Sequence, residues 1–257
     1  MVLNHGVSAV VAGGASGMGE ATVRALRACA VNVSILDQNV VRGNAVAAAT
    51  GSLFVAVDVT DEASVLSGFQ QVRAVNGQER IYIHTPGGGG LGHTAWRDPQ
   101  SGVVRRHDFK RFSRIVELNL HGTFLCASVA AAGMMTLTPN EDGERGSIVM
   151  TSSTASQDAP AGTIAYVASK AAINGMTLAM ARDLAPEGIR VNTILPGNFA
   201  TSLLDGVPKD YKQQMISWQL HPKRFGDAAE YASFALELVR NGYFNAATAR
   251  LDAGARV

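Results

Sequence analysis

Tyr166 and Lys170 stand four residues apart in Tyr166-Val167-Ala168-Ser169-Lys170. On a helix that spacing sets both side chains on one face, one turn above the other. An ammonium placed there favours phenolate over phenol and lowers a pKa that is ordinarily about 10. A phenol tuned in this way can exchange a proton with an alcohol near neutral pH. Ser153 lies upstream, where the apolar run Ser147-Ile148-Val149-Met150-Thr151 gives way to the hydroxyl-rich turn Ser152-Ser153-Thr154. That run predicts a buried strand, and Ser153 at its end could hold the oxygen of the reacting carbon. A Tyr and a Lys at this spacing also occur on helices by accident, so the surrounding chain must decide.

These side chains need a frame that brings a strand end against a helix face. Its first unit opens the chain. Val7–Ala12 predicts a strand, Gly13-Gly14-Ala15-Ser16-Gly17-Met18-Gly19 follows at once, Glu20–Ala30 has helical character, and Val31–Leu36 predicts a second strand. Gly13 permits a tight turn, and Gly17 and Gly19 permit close backbone approach at the helix start. Free N–H groups from Ser16 to Gly19, Met18 included, and the positive end of the helix dipole then favour a pyrophosphate. Asp37 closes the second strand, where a carboxylate accepts from the adenosine ribose hydroxyls and repels a 2′-phosphate. No Arg or Lys lies in the glycine loop, and Arg42 is the first cation after Asp37. NAD is therefore expected rather than NADP.

The units that follow repeat this pattern. Val55–Val59 predicts a third strand, with Asp58 and Val59 at the adenine side, and Ile81–Ile83 a fourth, leading into His84-Thr85-Pro86-Gly87. Residues 88–108 read as a surface loop near the cofactor. Phe109–Ala132 predicts a helix carrying Asn119 among apolar neighbours, where a buried amide needs partners. Arg190–Leu195 is a strand ending at Pro196-Gly197. Tyr211, Met215, Trp218 and Leu220 then recur at near-helical spacing within 198–225, as a core stripe or as a lid over a pocket. Ala228–Val239 predicts a last helix and Ala247–Leu251 a last strand. Strands alternating with helices predict one α/β domain over 1–257, a Rossmann-type doubly wound parallel sheet flanked by helices.

The totals exclude several classes. The 257 residues are 47% hydrophobic and 17% charged, as suits a compact globular enzyme. A net charge of +1 gives no general attraction to nucleic acid or an acidic membrane. Cys29 and Cys126 sit in apolar stretches and form no disulfide framework. Met1–Ser8 lacks the regions of a signal peptide, and no apolar stretch is expected to approach the ~20 residues that span a bilayer. A cytoplasmic protein binding neither nucleic acid, membrane nor metal is expected.

These motifs together resemble the short-chain dehydrogenase/reductase family over essentially the whole chain. The family's glycine motif matches Ala12-Gly13 through Gly19, and its active-site quartet falls on Asn119, Ser153, Tyr166 and Lys170. Pro196, Gly197, Phe199 and Thr201 match the segment beside the nicotinamide, and Pro86-Gly87 the loop on its other side. The resemblance implies hydride transfer between a carbinol carbon and nicotinamide. Tyr166 would be the acid/base, Ser153 the residue steadying the substrate oxygen, and Lys170 a ribose ligand that lowers the phenol pKa. Asn119 would support a water linking Lys170 to solvent. One departure is plain: His84-Thr85-Pro86-Gly87 replaces the family's Asn-Asn-Ala-Gly. Pro86 has no N–H to donate, and His84 is expected to be a satisfied structural residue.

A finer likeness, to the type-2 3-hydroxyacyl-CoA dehydrogenase branch, rests on Arg190-Val191, Phe199, Leu203-Leu204, Arg224-Phe225-Gly226-Asp227, Glu230-Tyr231-Ala232 and Arg250-Leu251-Asp252. It implies a small-molecule secondary alcohol or ketone as substrate, with a 3-hydroxyacyl-CoA among the candidates, and a homotetramer. A general ketone, cyclic-alcohol or steroid dehydrogenase, a lyase or epimerase, and a non-enzymatic NADH sensor stay open beside it. Arg105, Arg106, Lys110, Arg111 and Arg114 crowd one stretch, opposed by Asp108. If a helix begins early enough, Arg106, Lys110 and Arg114 share a face. They would then be a solvated surface, a subunit contact or an attractor of coenzyme A phosphates.

Overall fold

The computed structural model describes residues 1–201 and 204–256. Its first strands are β1 (Ser8–Ala12), β2 (Asn32–Asp37), β3 (Leu53–Ala56) and β4 (Ile81–His84). An exposed antiparallel hairpin follows, β5 (Ala95–Arg97) with β6 (Val104–Arg106). The remaining strands are β7 (Gly146–Thr151), β8 (Ile189–Pro196) and β9 (Thr248–Leu251). Seven of these form one sheet in the order β3-β2-β1-β4-β7-β8-β9, every neighbouring pair parallel. The chain runs outward from β1 to β3, returns to β4 and runs outward the other way. The carboxyl ends of β1 and β4 therefore flank a topological switch point, where open α/β sheets bind ligands.

Alternation along the strands sorts the core into two layers. Val10, Ala12, Tyr82 and Met150 face one side, packed with Phe69, Cys126, Met134 and Ile173. Ala9, Val11, Ile83 and Val149 face the other, packed with Val23, Leu26, Leu236 and Val239. The first layer is covered by α3 (Glu62–Asn76), α5 (Gly122–Met134) and α7 (Ile164–Leu184), which the short α6 (Ala155–Asp158) precedes, the second by α1 (Gly17–Ala28) and α9 (Ala228–Arg240). Side-chain caps fix where helices start. Asn39 accepts from Arg42 N at the head of α2 (Val40–Thr50), Asp61 from Ser64 N at α3, and Asp227 closes a capping box with Glu230 at α9.

Four expectations change. The third strand ends at Ala56, so Val57, Asp58 and Val59 form the loop beyond it. The 88–108 segment is not structureless: it holds the β5–β6 hairpin, whose turn is closed by Asp98 accepting from Gln100 N, Ser101 N and Ser101 Oγ. Arg106 lies on β6, while Lys110 and Arg114 lie on α4 (Phe109–Val116), which starts at its cap Asp108. The three cations cannot share a helix face. Finally, Phe109–Met134 runs as one helical segment long and apolar enough, by length and composition, to cross a membrane. Its α5 part packs Cys126, Ala127, Ala130 and Met134 into the sheet layer, as a core helix does. Leu203, part of the finer likeness and of the expected lid, lies outside the described residues.

Candidate active site

β7 and α7 meet at the site. Ser152 Oγ donates to the Lys170 carbonyl at 2.8 Å, fastening the strand end to the helix. Ser153, one residue further, turns its hydroxyl into the cleft and accepts from Ala155 N at 3.2 Å. Tyr166 and Lys170 stand one turn apart on α7, with Nζ 5.9 Å from the centre of the Tyr166 ring. Lys170 is 3% exposed, and its Nζ donates to Thr151 O at 2.9 Å.

The electrostatics differ from expectation. Burial raises the Tyr166 phenol above its ordinary value, and the Ser153 hydroxyl beside it draws it back down. Burial disfavours the ammonium too and lowers Lys170 to about 8, and for the phenol desolvation outweighs the lowering expected from its neighbours. Phenol and ammonium are both desolvated, so neither charge is cheap.

Asn119 lies in a π-helical turn, Glu117–His121, between α4 and α5. Its Oδ1 accepts from Gly88 N at 2.9 Å, and its Nδ2 donates to Gly88 O at 2.9 Å and Ser169 Oγ at 3.0 Å. One amide thus pins the loop after β4 to α7. A Cβ on Gly87 would stand 3.0 Å from Lys170 Nζ and 3.1 Å from Asn119 Oδ1, close enough that these side chains would have to shift by a few tenths of an ångström.

His84 is fully buried, and its Nδ1 pairs with Tyr82 Oη at 2.7 Å. Its Nε2 has no partner among the described residues, so the histidine is half satisfied rather than satisfied. Burial first, and Lys170 second, lower its pKa to about 3, so it stays neutral. Pro86 has a packing role: a Cβ on Gly13 would meet Thr85 Oγ1 at 2.5 Å and Pro86 N at 2.9 Å.

Two clefts adjoin. The first, with an empty volume of about 950 Å³, is lined by Gly13, Ser16, Gly17, Met18, Gly19, Asp37, Asp58, Val59, Pro86 and Gly87. Its residues suit a dinucleotide. Gly13 and Gly17 take positive φ, and a Cβ on Gly19 would strike the Gly13 carbonyl oxygen. Ser16 makes no side-chain cap, which leaves the N–H groups of the first α1 turn to a ligand. Asp37 Oδ2 accepts from Ala15 N at 3.1 Å and Oδ1 from Asn39 N at 2.9 Å. Asp58 is exposed and closes its own turn through Thr60.

The second cleft, about 1420 Å³, holds Ser153, Tyr166, Lys170, Pro196, Gly197 and Phe199. It meets the first at Met18, Thr85, Gly87 and Thr201. Thr85 was not anticipated. It lies one residue before Pro86, and its Oγ1 donates to Ala12 O at 2.8 Å. Phe199 is chiefly a core side chain, edge-on to Tyr231. Of the stripe, Tyr211, Met215 and Trp218, carried on and just after α8 (Lys209–Ser217), line this cleft and not the core, while Leu220 is exposed and lines neither. The five cations at 105–114 line neither cleft and, among the described residues, form no ion pairs.

Comparison with known proteins gives the family of the chain and its structural likeness. The short chain dehydrogenase family model matches residues 8–212. 3-Hydroxyacyl-CoA dehydrogenase type-2 of Drosophila melanogaster is 36% identical over 250 residues, covering 96% of each chain. The Homo sapiens protein of that name is 36% identical over 254 residues, covering 98% of this chain and 96% of its own. The crystal structure of 3-hydroxyacyl-CoA dehydrogenase type-2 from Mycobacterium avium superposes with a TM-score of 0.90 at 38% identity, covering 98% of this chain and 96% of that one.

Proposed function

Since the chain belongs to the short-chain dehydrogenase/reductase family, oxidoreductases acting on alcohols, we propose that it interconverts secondary alcohols and ketones with NAD, taking 3-hydroxyacyl-CoA thioesters among its substrates. The observation that carries this reading is the convergence of Ser153, Tyr166 and Lys170 on an apolar-walled cleft that opens into the glycine-loop cleft.

Gly13 to Gly19 would hold the pyrophosphate, Asp37 the adenosine ribose, and Tyr166, Lys170 and Thr201 the nicotinamide end. When bound, the cofactor supplies or accepts the hydride at its nicotinamide ring. The protein handles the proton. Ser153 Oγ donates to the substrate oxygen and fixes it beside Tyr166 Oη. In reduction Tyr166 Oη gives its proton to that oxygen; in oxidation the phenolate takes it back. Lys170, held on Thr151 O, places a positive charge where phenolate must form. Asn119 keeps the 87–88 backbone against this group through Gly88. The α8 segment walls the substrate cleft with Tyr211, Met215 and Trp218, Tyr211 standing edge-on to Trp218 at 6.2 Å.

Preference for NAD follows from the Asp37 carboxylate, which a 2′-phosphate would face. The names of the similar proteins and the cations on and directly after the hairpin, which form no ion pairs among the described residues, support the thioester. A homotetramer is supported by apolar side chains left exposed on the catalytic layer, Phe124 at 52% and Leu178 at 45%, and by β9 standing at the sheet edge. The test is NADH oxidation by purified protein against acetoacetyl-CoA, aliphatic ketones and cyclic ketones. Turnover of a ketone with NADH is expected, with the thioester used best. No NADH-dependent reduction of any of them would defeat the reading.

A further inference from the structure

Arg42 stands in the first turn of α2, five residues after Asp37, and its guanidinium folds back onto the glycine loop. Nε donates to Ala15 O at 3.0 Å, and Nη2 donates to Glu20 Oε2 at 3.1 Å. Ala15 is also the residue whose amide donates to Asp37 Oδ2 at 3.1 Å. One loop residue is therefore gripped on both sides, its N–H by the ribose-side carboxylate and its C=O by a cation. Glu20 is in turn shared. Its Oε1 receives Arg24 at 2.8 Å and 3.1 Å while Oε2 receives Arg42.

Arg42 lines a cleft that shares Ser16 and Gly17 with the glycine-loop cleft, and it grips the same Ala15 that Asp37 holds. On the NAD reading its guanidinium therefore stands next to the corner a 2′-phosphate would take. Phosphate carries more than one negative charge near neutral pH, and a planar guanidinium is its best side-chain partner. Yet Arg42 has its Nε committed to Ala15 and its charge set against Glu20. As a mere staple between α1 and α2 the pair contributes little, because Arg42 is 56% exposed and Glu20 21%. Its placement beside Ala15 gives it a different consequence. A neighbouring cleft lined by Ser16, Gly17, Asn39, Arg42 and Lys212 leaves Arg42 room to turn if Glu20 lets go.

We propose that Glu20 is a specificity-determining residue for the dinucleotide: by holding Arg42 on the Ala15 carbonyl it withholds from a 2′-phosphate the guanidinium that would otherwise receive it. Asp37 repels the phosphate directly, and Glu20 removes the compensating cation. The inference rests on the NAD reading above and adds a second residue, on a different element, to the one that reading uses.

The test uses ligands without nicotinamide, so it does not depend on turnover. Dissociation constants of AMP and of adenosine 2′,5′-bisphosphate are measured by titration calorimetry on the wild type, Glu20→Gln, Glu20→Ala and Glu20→Gln/Arg42→Ala. These ligands differ only by the 2′-phosphate. In the wild type the bisphosphate should bind more weakly. In both single variants the ratio of the two constants should shift about fivefold toward the bisphosphate, the scale of one partly exposed charge pair. Removing Arg42 as well should reverse the shift. An unchanged ratio in both single variants overturns the proposal. So does a shift that survives in the double variant, since Arg24 or plain loss of negative charge would then explain it. Equal affinities in the wild type would instead defeat the NAD reading itself, whatever the variants do.

Discussion

Lys170 Nζ donates to the carbonyl of Thr151 at 2.9 Å, so the buried ammonium is tied to the last residue of β7 and not to the Tyr166 phenol one helical turn away. Thr151 in turn donates through Oγ1 to His84 O, and its hydroxyl pairs with Tyr231 Oη at 2.6 Å. The cation is thus fixed to the central strands by a carbonyl dipole, and among the described residues no carboxylate pairs with it.

A pH dependence of stability follows. The ordinary lysine value is 10.5 and the folded value about 8, because burial disfavours the charged form. Between those values the unfolded chain holds a proton that the folded chain has released, so stability rises with pH. The gain is complete above about 10.5 and is lost as pH falls to about 8. Melting temperatures of wild type and Lys170→Met, compared from pH 7 to 10, should therefore move in the wild type's favour on the alkaline side. A difference that stays constant with pH would show that Lys170 is not the titrating group.

Tyr166→Phe should preserve folding and dinucleotide binding while lowering kcat by about 10² to 10⁴, the usual worth of a positioned acid/base group. The substitution removes the hydroxyl and almost no volume. Since burial already raises this phenol, Ser153→Ala should move the pH profile further toward alkaline pH, because the hydroxyl that draws the phenol down is gone. Steady-state rates and a pH profile of both variants check this. Retention of most wild-type activity by Tyr166→Phe would remove Tyr166 from the mechanism.

Much of this site was legible in the chain because its signals are local. The strand, glycine turn and helix of 7–30 follow each other without interruption, and Tyr166 and Lys170 are fixed by one helical turn. What escaped depends on contacts remote in sequence. Nothing near Asn119 indicates that its amide grips Gly88, thirty-one residues earlier, and nothing near Lys170 indicates how completely it is desolvated. Proximity to Tyr166 predicted a lowered phenol pKa, whereas burial of both groups governs. The hairpin was more nearly within reach. Asp98-Pro99-Gln100-Ser101-Gly102 is a turn signature with a glycine where φ is +73°, but strands of three exposed residues carry no hydrophobic alternation to announce them.

Arg105 and Arg106 lie on β6, and Lys110, Arg111 and Arg114 on α4 directly after it, so the hairpin and helix present their cations from adjoining elements. Asp108, which opposes them in sequence, is engaged as the α4 cap through Lys110 N at 2.8 Å and Arg111 N at 3.2 Å. Those bonds hold its carboxyl below its ordinary range, leaving it ionised but turned to backbone. Because the cations line neither cleft, they cannot contact a reacting carbon. They can only attract a distant charged part of a substrate, as a thioester's phosphates would be. Such attraction is screened by salt over about 10 Å at 0.1 M. The KM for acetoacetyl-CoA should therefore rise with ionic strength, and Arg105→Ala/Arg106→Ala should raise it about threefold at low salt while flattening that dependence. The KM for an uncharged ketone should not move in either experiment. Equal shifts for thioester and uncharged ketone would mean the hairpin shapes the cleft instead of steering phosphates, and no shift for the thioester would leave these arginines a solvated surface.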